Sequence, residues 1–329
     1  MNEKFKSVRR QQFIDEECYD RTLIKMKSAK EEFYNGLKDG NVTRDGILTS
    51  VGMIASYELW IFQLRFTGGA SLKELSESLD DIVKAYEVYA GELRNSPNIY
   101  EEAVFNIDQS LDDYVDYLNL LSAIILLRRI DLLERTADLI AGTPVDHQDV
   151  IVENLLKFFL PDRPSVFQGY WGDSYQHLMD AIEADSKQES AVYMKKFVKK
   201  WYPSMKGDAA FWGKHEHIKS EFSTYRGYWD MSSAAFSYLL TLDDSSYRKE
   251  IVYPYQLVDY ARSFPKDSGE NHVQLVQLKI VAGNPCTRAG FWFTPARPNS
   301  RSMFREGEIM PVVSNSDYGL TIWQWSSDQ

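Results

Sequence analysis

Ten residues near the middle of the chain, "LNLLSAIILL" (Leu118–Leu127), constrain the fold more than any other stretch. The run is about half the length a membrane span needs, and Arg128 and Arg129 follow it directly. A helix with so little polar surface belongs in a core, and a buried core helix needs other helices around it. The flanking sequence supplies them. Phe13, Ile14, Leu23, Ile24, Met26, Phe33 and Leu37 follow a loose helical spacing that Gly36 or Gly40 can end. A second helix is expected after Thr43, stopping at Thr67–Gly69, and Ser71 with Glu74 forms a capping box that starts a third. "NIDQSLDDY" opens a long helix expected to run to Gly142 and Pro144. Another is expected over about 147–160, closed by Pro161. Ser186 and Glu189 make a second capping box, with Pro203 closing that helix, and at least two further helices fit between 209 and 263.

The pattern changes after Pro265. "NHVQLVQLKIVAG", "GFWFTP", "EIMPVV" and "GLTIWQW" are short β-branched or aromatic runs punctuated by Gly and Pro, which is a strand pattern. The expected architecture is mainly α: a multi-helix, bundle-like body with a small C-terminal β appendage. Its parts are an N-terminal helical domain (1–145), a C-terminal helical domain (146–265) and a β-rich segment (266–329).

The net charge is −11. Such a balance disfavours direct contact with nucleic acid or an anionic membrane, which both want basic faces, and it permits a basic partner. Two distant cysteines, Cys18 and Cys286, make no disulfide framework, and the charged N-terminus has no apolar signal core. A cytoplasmic location is the expectation.

No catalytic constellation stands out. "GKHEHIKSE" brings His215, His217 and Glu221 together. On a helix, however, residues two apart diverge by about 200°, so the two histidines cannot share a metal. Lys219 stands where the metalloprotease pattern requires its second histidine. His217 and Glu221 have the right spacing for two ligands, and His177 could be a third, but the expected reading is two polar histidines on an amphipathic helix. "GTPVDH" (142–147) lacks the Lys of a phosphate loop and reads as a helix break, while Cys286 reads as a buried thiol at a turn. Neither metal nor cofactor is expected.

Residues 73–116 are unusual, with twelve acids against three bases and Tyr86, Tyr89, Tyr100, Tyr114 and Tyr117 among or beside them. One reading is a solvated helix pair. The other is an acidic surface for a basic partner, with acids steering association and tyrosines anchoring the contact. Its candidate residues are Asp80, Asp81, Glu87, Tyr89, Glu101, Glu102, Asp112, Asp113, Tyr114 and Asp116.

Between Trp201 and Arg262, "WYPSMK", "FWGKHEHI", "YRGYWDMSSAA" and "YPYQLVDYAR" occur in order. This series resembles the C-terminal helical domain of immunity proteins from bacterial polymorphic toxin and type VI secretion systems, in the immunity families numbered seventy-one or seventy-two. "YELWIFQLRFTGGASLKELSE" (Tyr57–Glu77) is similar to the partner domain of those proteins, and the tail from "GNPCTRAGFWFTP" to "YGLTIWQW" resembles a module associated with them. Where the family carries Tyr-Trp-x-x-Glu, this chain has Ser232, with Asp230 two residues earlier. Gly227, Tyr228 and Trp229 are expected to be packing residues. The resemblance implies a non-enzymatic cytoplasmic inhibitor whose partner is a cognate toxin, a nuclease effector whose basic groove or active site it occludes. The competing readings are a metal-dependent hydrolase using His177, His217 and Glu221, and an adaptor binding through the β appendage.

Overall fold

The computed structural model describes residues 3–40, 42–96, 103–218, 222–265, 279–294, 296–297, 300–314 and 321–325. The helices are α1 (Glu3–Val8), α2 (Glu16–Lys38), α3 (Arg44–Gly68), α4 (Leu72–Arg94), α5 (Leu111–Leu126), α6 (Leu133–Ala137), α7 (Val150–Lys157), α8 (Gly172–Glu183), α9 (Lys187–Ser204), α10 (Met231–Leu239) and α11 (Tyr255–Arg262). Short polar side chains start most of the long ones, each accepting a backbone N–H that has no partner within the helix. Asp15 accepts from Cys18, Thr43 from Gly46, Ser71 from Glu74, and Ser186 from Glu189. Gly69, in the left-handed region at φ 95°, ends α3.

Helix α5 is the axis. Of its sixteen residues only Asp112, Asp113 and Asp116 are not buried. It packs against α6, α7, α10 and α11, while α3 lies between α2 and α4, and α8 pairs with α9. The long helix expected to reach Gly142 stops instead at Leu126. Arg128 takes a left-handed conformation (φ 62°), and the chain restarts as single 3₁₀ turns flanking α6. Two successive arginines at the end of an apolar helix explain the break. Nη1 of Arg128 donates to the Tyr238 hydroxyl at 2.8 Å, and Arg129 reaches Asp131 and the Ser76 carbonyl. A continued helix would draw these cations into the core. Helix α3 is long and apolar enough to cross a membrane by length and composition, and more than half of that stretch is buried inside the body.

A single apolar core runs from Ile14 to Ala261, continuous across residue 145. The C-terminal segment has a second, smaller core of Ile280, Cys286, Trp292, Phe304, Met310 and Trp323. It is formed by the antiparallel strands β1 (Lys279–Val281), β2 (Gly290–Phe293), β3 (Ser302–Phe304) and β4 (Ile322–Trp325), in the order β1-β4-β2-β3. The register sets Ile280 beside Trp323, and Trp292 beside Trp325, on one face of the sheet. "EIMPVV" contributes one isolated bridge, Pro285 to Ile309, rather than a strand. The fold is therefore mainly α with a small β appendage. The sheet meets the body where the Phe293 ring lies 4.8 Å from that of Phe167.

Candidate partner-binding surface

Most of the acids between 73 and 116 face the protein's own groups. Arg135 donates to both Glu87 oxygens at 2.7 Å and to Asp80 at 2.8 Å. Lys84 sits 2.6 Å from the other Asp80 oxygen, and these two cations hold the Asp80 carboxyl down at about 2. Asp112 accepts the backbone N–H groups of Ala210 (2.7 Å) and Phe211 (3.1 Å). Asp113 accepts the N–H of Asn106 at 3.0 Å, and burial pushes its carboxyl upward. Asp116 accepts from Gln63 at 2.6 Å and lies 3.8 Å from Arg226. These carboxylates tie α5 and α4 to neighbouring segments, so they are not the open steering patch the sequence suggested. The acids of this stretch that are exposed are Glu74, Glu77, Asp81 and Asp108. Glu101, Glu102 and Tyr100 lie outside the described residues.

The tyrosines also turn inward. Tyr114 is fully buried, its hydroxyl 3.1 Å from both oxygens of Asp149, so it cannot anchor a partner. Tyr86 and Tyr117 are buried too. Tyr89 is half-buried, with its ring against Gly52 of α3. Apolar periodicity wins here: on α4 and α5 these tyrosines share the face of the buried leucines.

The segment Arg226–Asp230 joins the early and late parts of the chain. Gly227 has φ 110°, and a Cβ there would collide with Thr67 Oγ1 and the Trp229 indole. Only glycine suits that backbone and that space. Trp229 Nε1 donates to Thr67 Oγ1 at 2.8 Å. Asn119 of α5 donates to the Trp229 carbonyl and accepts the Met231 N–H, both at 2.9 Å. Asp230 caps α10 and is buried, with Ser232 Oγ donating to its Oδ1 at 2.6 Å. Its Oδ2 has no hydrogen-bond partner, and burial pushes the carboxyl up to about 6.

The histidines do not converge. His215 and His217 lie on one 3₁₀ turn (Lys214–His217), not on the amphipathic helix expected. The turn is pinned because the Tyr228 hydroxyl accepts the His215 N–H (2.9 Å) and contacts its Nδ1 (2.8 Å). His177 pairs with Asp180 on α8, and Glu221 lies outside the described residues. A different cluster escaped sequence reading. Asp146, His147 and Glu153 offer ligand atoms within 4.8 Å of one another. Arg163 already donates to both oxygens of the buried Glu153, at 2.5 and 2.8 Å, so a cation of the protein's own neutralises this cluster. Only the acid spacing hinted at it, because Arg163 lies beyond a helix and a turn. Cys18 and Cys286 are both buried, and neither is in a disulfide.

Residues 147–257 match the family model described as PoNe immunity proteins (PoNi), C-terminal. The match supports an immunity protein of a polymorphic toxin system, and immunity proteins of this family imply a cognate toxin as partner. The matched span contains Arg226–Asp230 and, of the Arg163 cluster, His147, Glu153 and Arg163 but not Asp146. Among solved structures, protein PA2201 from Pseudomonas aeruginosa is similar in fold, with a TM-score of 0.62 and 17% identity over 78% of this chain and 91% of that one. No curated protein matches.

Proposed function

We propose that this chain neutralises a secreted nuclease toxin, delivered by a type VI secretion system, by binding it directly in the cytoplasm and covering its basic substrate groove. The observation that carries the reading is the match of residues 147–257 to immunity proteins, joined to a net charge of −11. A nuclease gathers cationic side chains to hold phosphates, and an acidic inhibitor complements them. Glu77 and Asp81 along the exposed side of α4, with Asp108 before α5, are the described acids of this stretch available to steer that encounter, whereas Glu74 already faces Arg65 at 3.6 Å.

The test pairs the purified chain with the toxin encoded beside its gene. Surface plasmon resonance should show a stable complex, and co-expression should protect cells and suppress cleavage of duplex DNA. Absence of binding together with absence of protection overturns the reading. Binding and protection against a toxin that leaves nucleic acid intact overturns the nuclease part alone.

A further inference from the structure

The acidic chain carries one strongly basic element. Between 187 and 217 there are seven lysines (187, 195, 196, 199, 200, 206 and 214) against Glu189, Asp208 and Glu216. Four of them recur on α9 at 195, 196, 199 and 200, a spacing that sets them along one side of the helix. Met194, Phe197, Val198 and Trp201 take the opposite, buried side. The lysine side faces solvent: Lys196, Lys199 and Lys200 are exposed and Lys195 is half-buried.

These lysines differ from the acids of 73–116 in what they touch. Lys195, Lys196 and Lys200 have no carboxylate partner among the described residues, and Lys199 has a long contact of 3.8 Å with Glu250. Lys196 lies 4.9 Å from the Tyr193 ring centroid, and Lys206 lies 5.3 Å from that of Trp212. On the same side of the helix Val192, 54% exposed, precedes the four lysines and the exposed Pro203 follows them, so the two apolar groups flank the cations. Cations that mostly have no carboxylate partner, flanked by exposed apolar groups on one helix face, suit a protein partner of opposite charge. A nucleic acid is repelled by the field of a chain at −11.

We propose that the outer side of α9 is a second docking surface, which takes an acidic segment of the cognate toxin. The inference rests on the proposed function for the existence of that toxin, but not on its being a nuclease. It also places a toxin contact inside 147–257, the span shared with immunity proteins, and assigns it the charge opposite to that of α4.

The experiment compares the wild-type chain with two variants in surface plasmon resonance against the toxin encoded beside the gene. The variants are the triple K195E/K196E/K200E and Val192→Asp, and circular dichroism checks that each is folded. All the changed side chains face solvent or its margin, so the folded state should survive. A 30-base-pair DNA duplex is a second analyte. The triple variant should associate about tenfold more slowly at low salt, with the difference closing as salt screens the field. Val192→Asp should dissociate about tenfold faster, with little change in association. Wild-type kinetics in both folded variants, beside a wild type that binds, overturns this inference and leaves the proposed function standing. Duplex binding by the wild type that the triple variant loses overturns it in favour of nucleic acid. Failure of the wild type to bind the toxin sinks both readings.

Discussion

Gln11 pairs with both backbone groups of Tyr228: its Oε1 accepts the Tyr228 N–H at 2.9 Å, and its Nε2 donates to the Tyr228 carbonyl at 2.7 Å. The same amide donates to the Ile251 carbonyl at 2.8 Å and accepts the Tyr225 hydroxyl. One buried side chain thus completes the hydrogen bonding of a segment that is itself in neither helix nor strand. Gln11→Ala leaves that set without partners in a dry site. Unmade buried bonds cost about 1–3 kcal/mol each, so a loss of about 3–5 kcal/mol is expected in urea unfolding. A loss below 1 kcal/mol would mean that water replaces the amide.

Gly227→Ala tests the close approach of the two segments. The left-handed backbone and the collision with Thr67 and Trp229 act together. Strain and overpacking each cost about 1–3 kcal/mol. Thermal unfolding should therefore fall well below that of the wild type. Thr67→Ser leaves the hydroxyl in place and should be far milder. Equal effects would show that the methyl group of Thr67, not the approach of Gly227, is what matters.

Asp230 sets a pH dependence. Its folded carboxyl titrates near 6, above the ordinary value of 3.8. The native state therefore holds the proton more tightly than the unfolded chain does. Ionised Asp230 destabilises the fold above pH 6, and the penalty fades as pH falls from about 7 toward 4. Each tenfold difference in proton affinity between the two states is worth about 1.4 kcal/mol, so the swing is on the order of 3 kcal/mol for a group this buried. Melting temperatures of the wild type and Asp230→Asn across pH 4.5–7.5 should differ in slope, with the wild type losing stability toward neutral pH and the asparagine variant not. A parallel pair of curves would assign the slope to other carboxyls.

Arg163 faces Glu153, whose side chain is only 2% exposed. Removing one partner of a buried pair leaves an uncompensated charge and costs about 3–5 kcal/mol, whereas removing both costs much less. Arg163→Met should therefore be strongly destabilised, and Arg163→Met with Glu153→Gln should recover most of the loss. The double variant should keep toxin binding, because both groups face inward. Chemical denaturation of the three proteins, followed by one binding assay, checks both statements.

The acids divide into two kinds that a single substitution distinguishes. Asp81→Lys, on exposed α4, should leave the melting temperature near wild type and slow toxin association at low salt. Asp112→Lys should lower the melting temperature, because Ala210 and Phe211 lose their acceptor. The reverse pattern would return Asp112 to the interface and remove Asp81.

What was legible in the sequence follows from how far each residue reaches. Ser71, Thr43 and Ser186 cap the helices they precede because an N-cap oxygen bonds only two or three residues onward, and the tail's aromatic runs reveal strands by their own composition. The break after Leu126 was hidden, since beyond the neighbouring Asp131 the two arginines reach Tyr238 and Ser76, far off in sequence. The acid run misled for the same reason: Asp112 holds the N–H groups of a turn 98 residues later. Gly227, Tyr228 and Trp229 were readable as packing residues by type, though not that Gln11 and Thr67 receive them.

The continuity of the apolar core across residue 145 bears on how such chains can change over generations. Recombination that brings in a foreign 147–257 also brings in a foreign Arg226–Asp230, whose fit depends on an amide at position 11, a hydroxyl at 67 and a carboxamide at 119. Those three residues lie upstream of the exchanged piece, so that piece keeps its packing only when both halves descend together. Exposed positions on the outer side of α9 carry no such obligation.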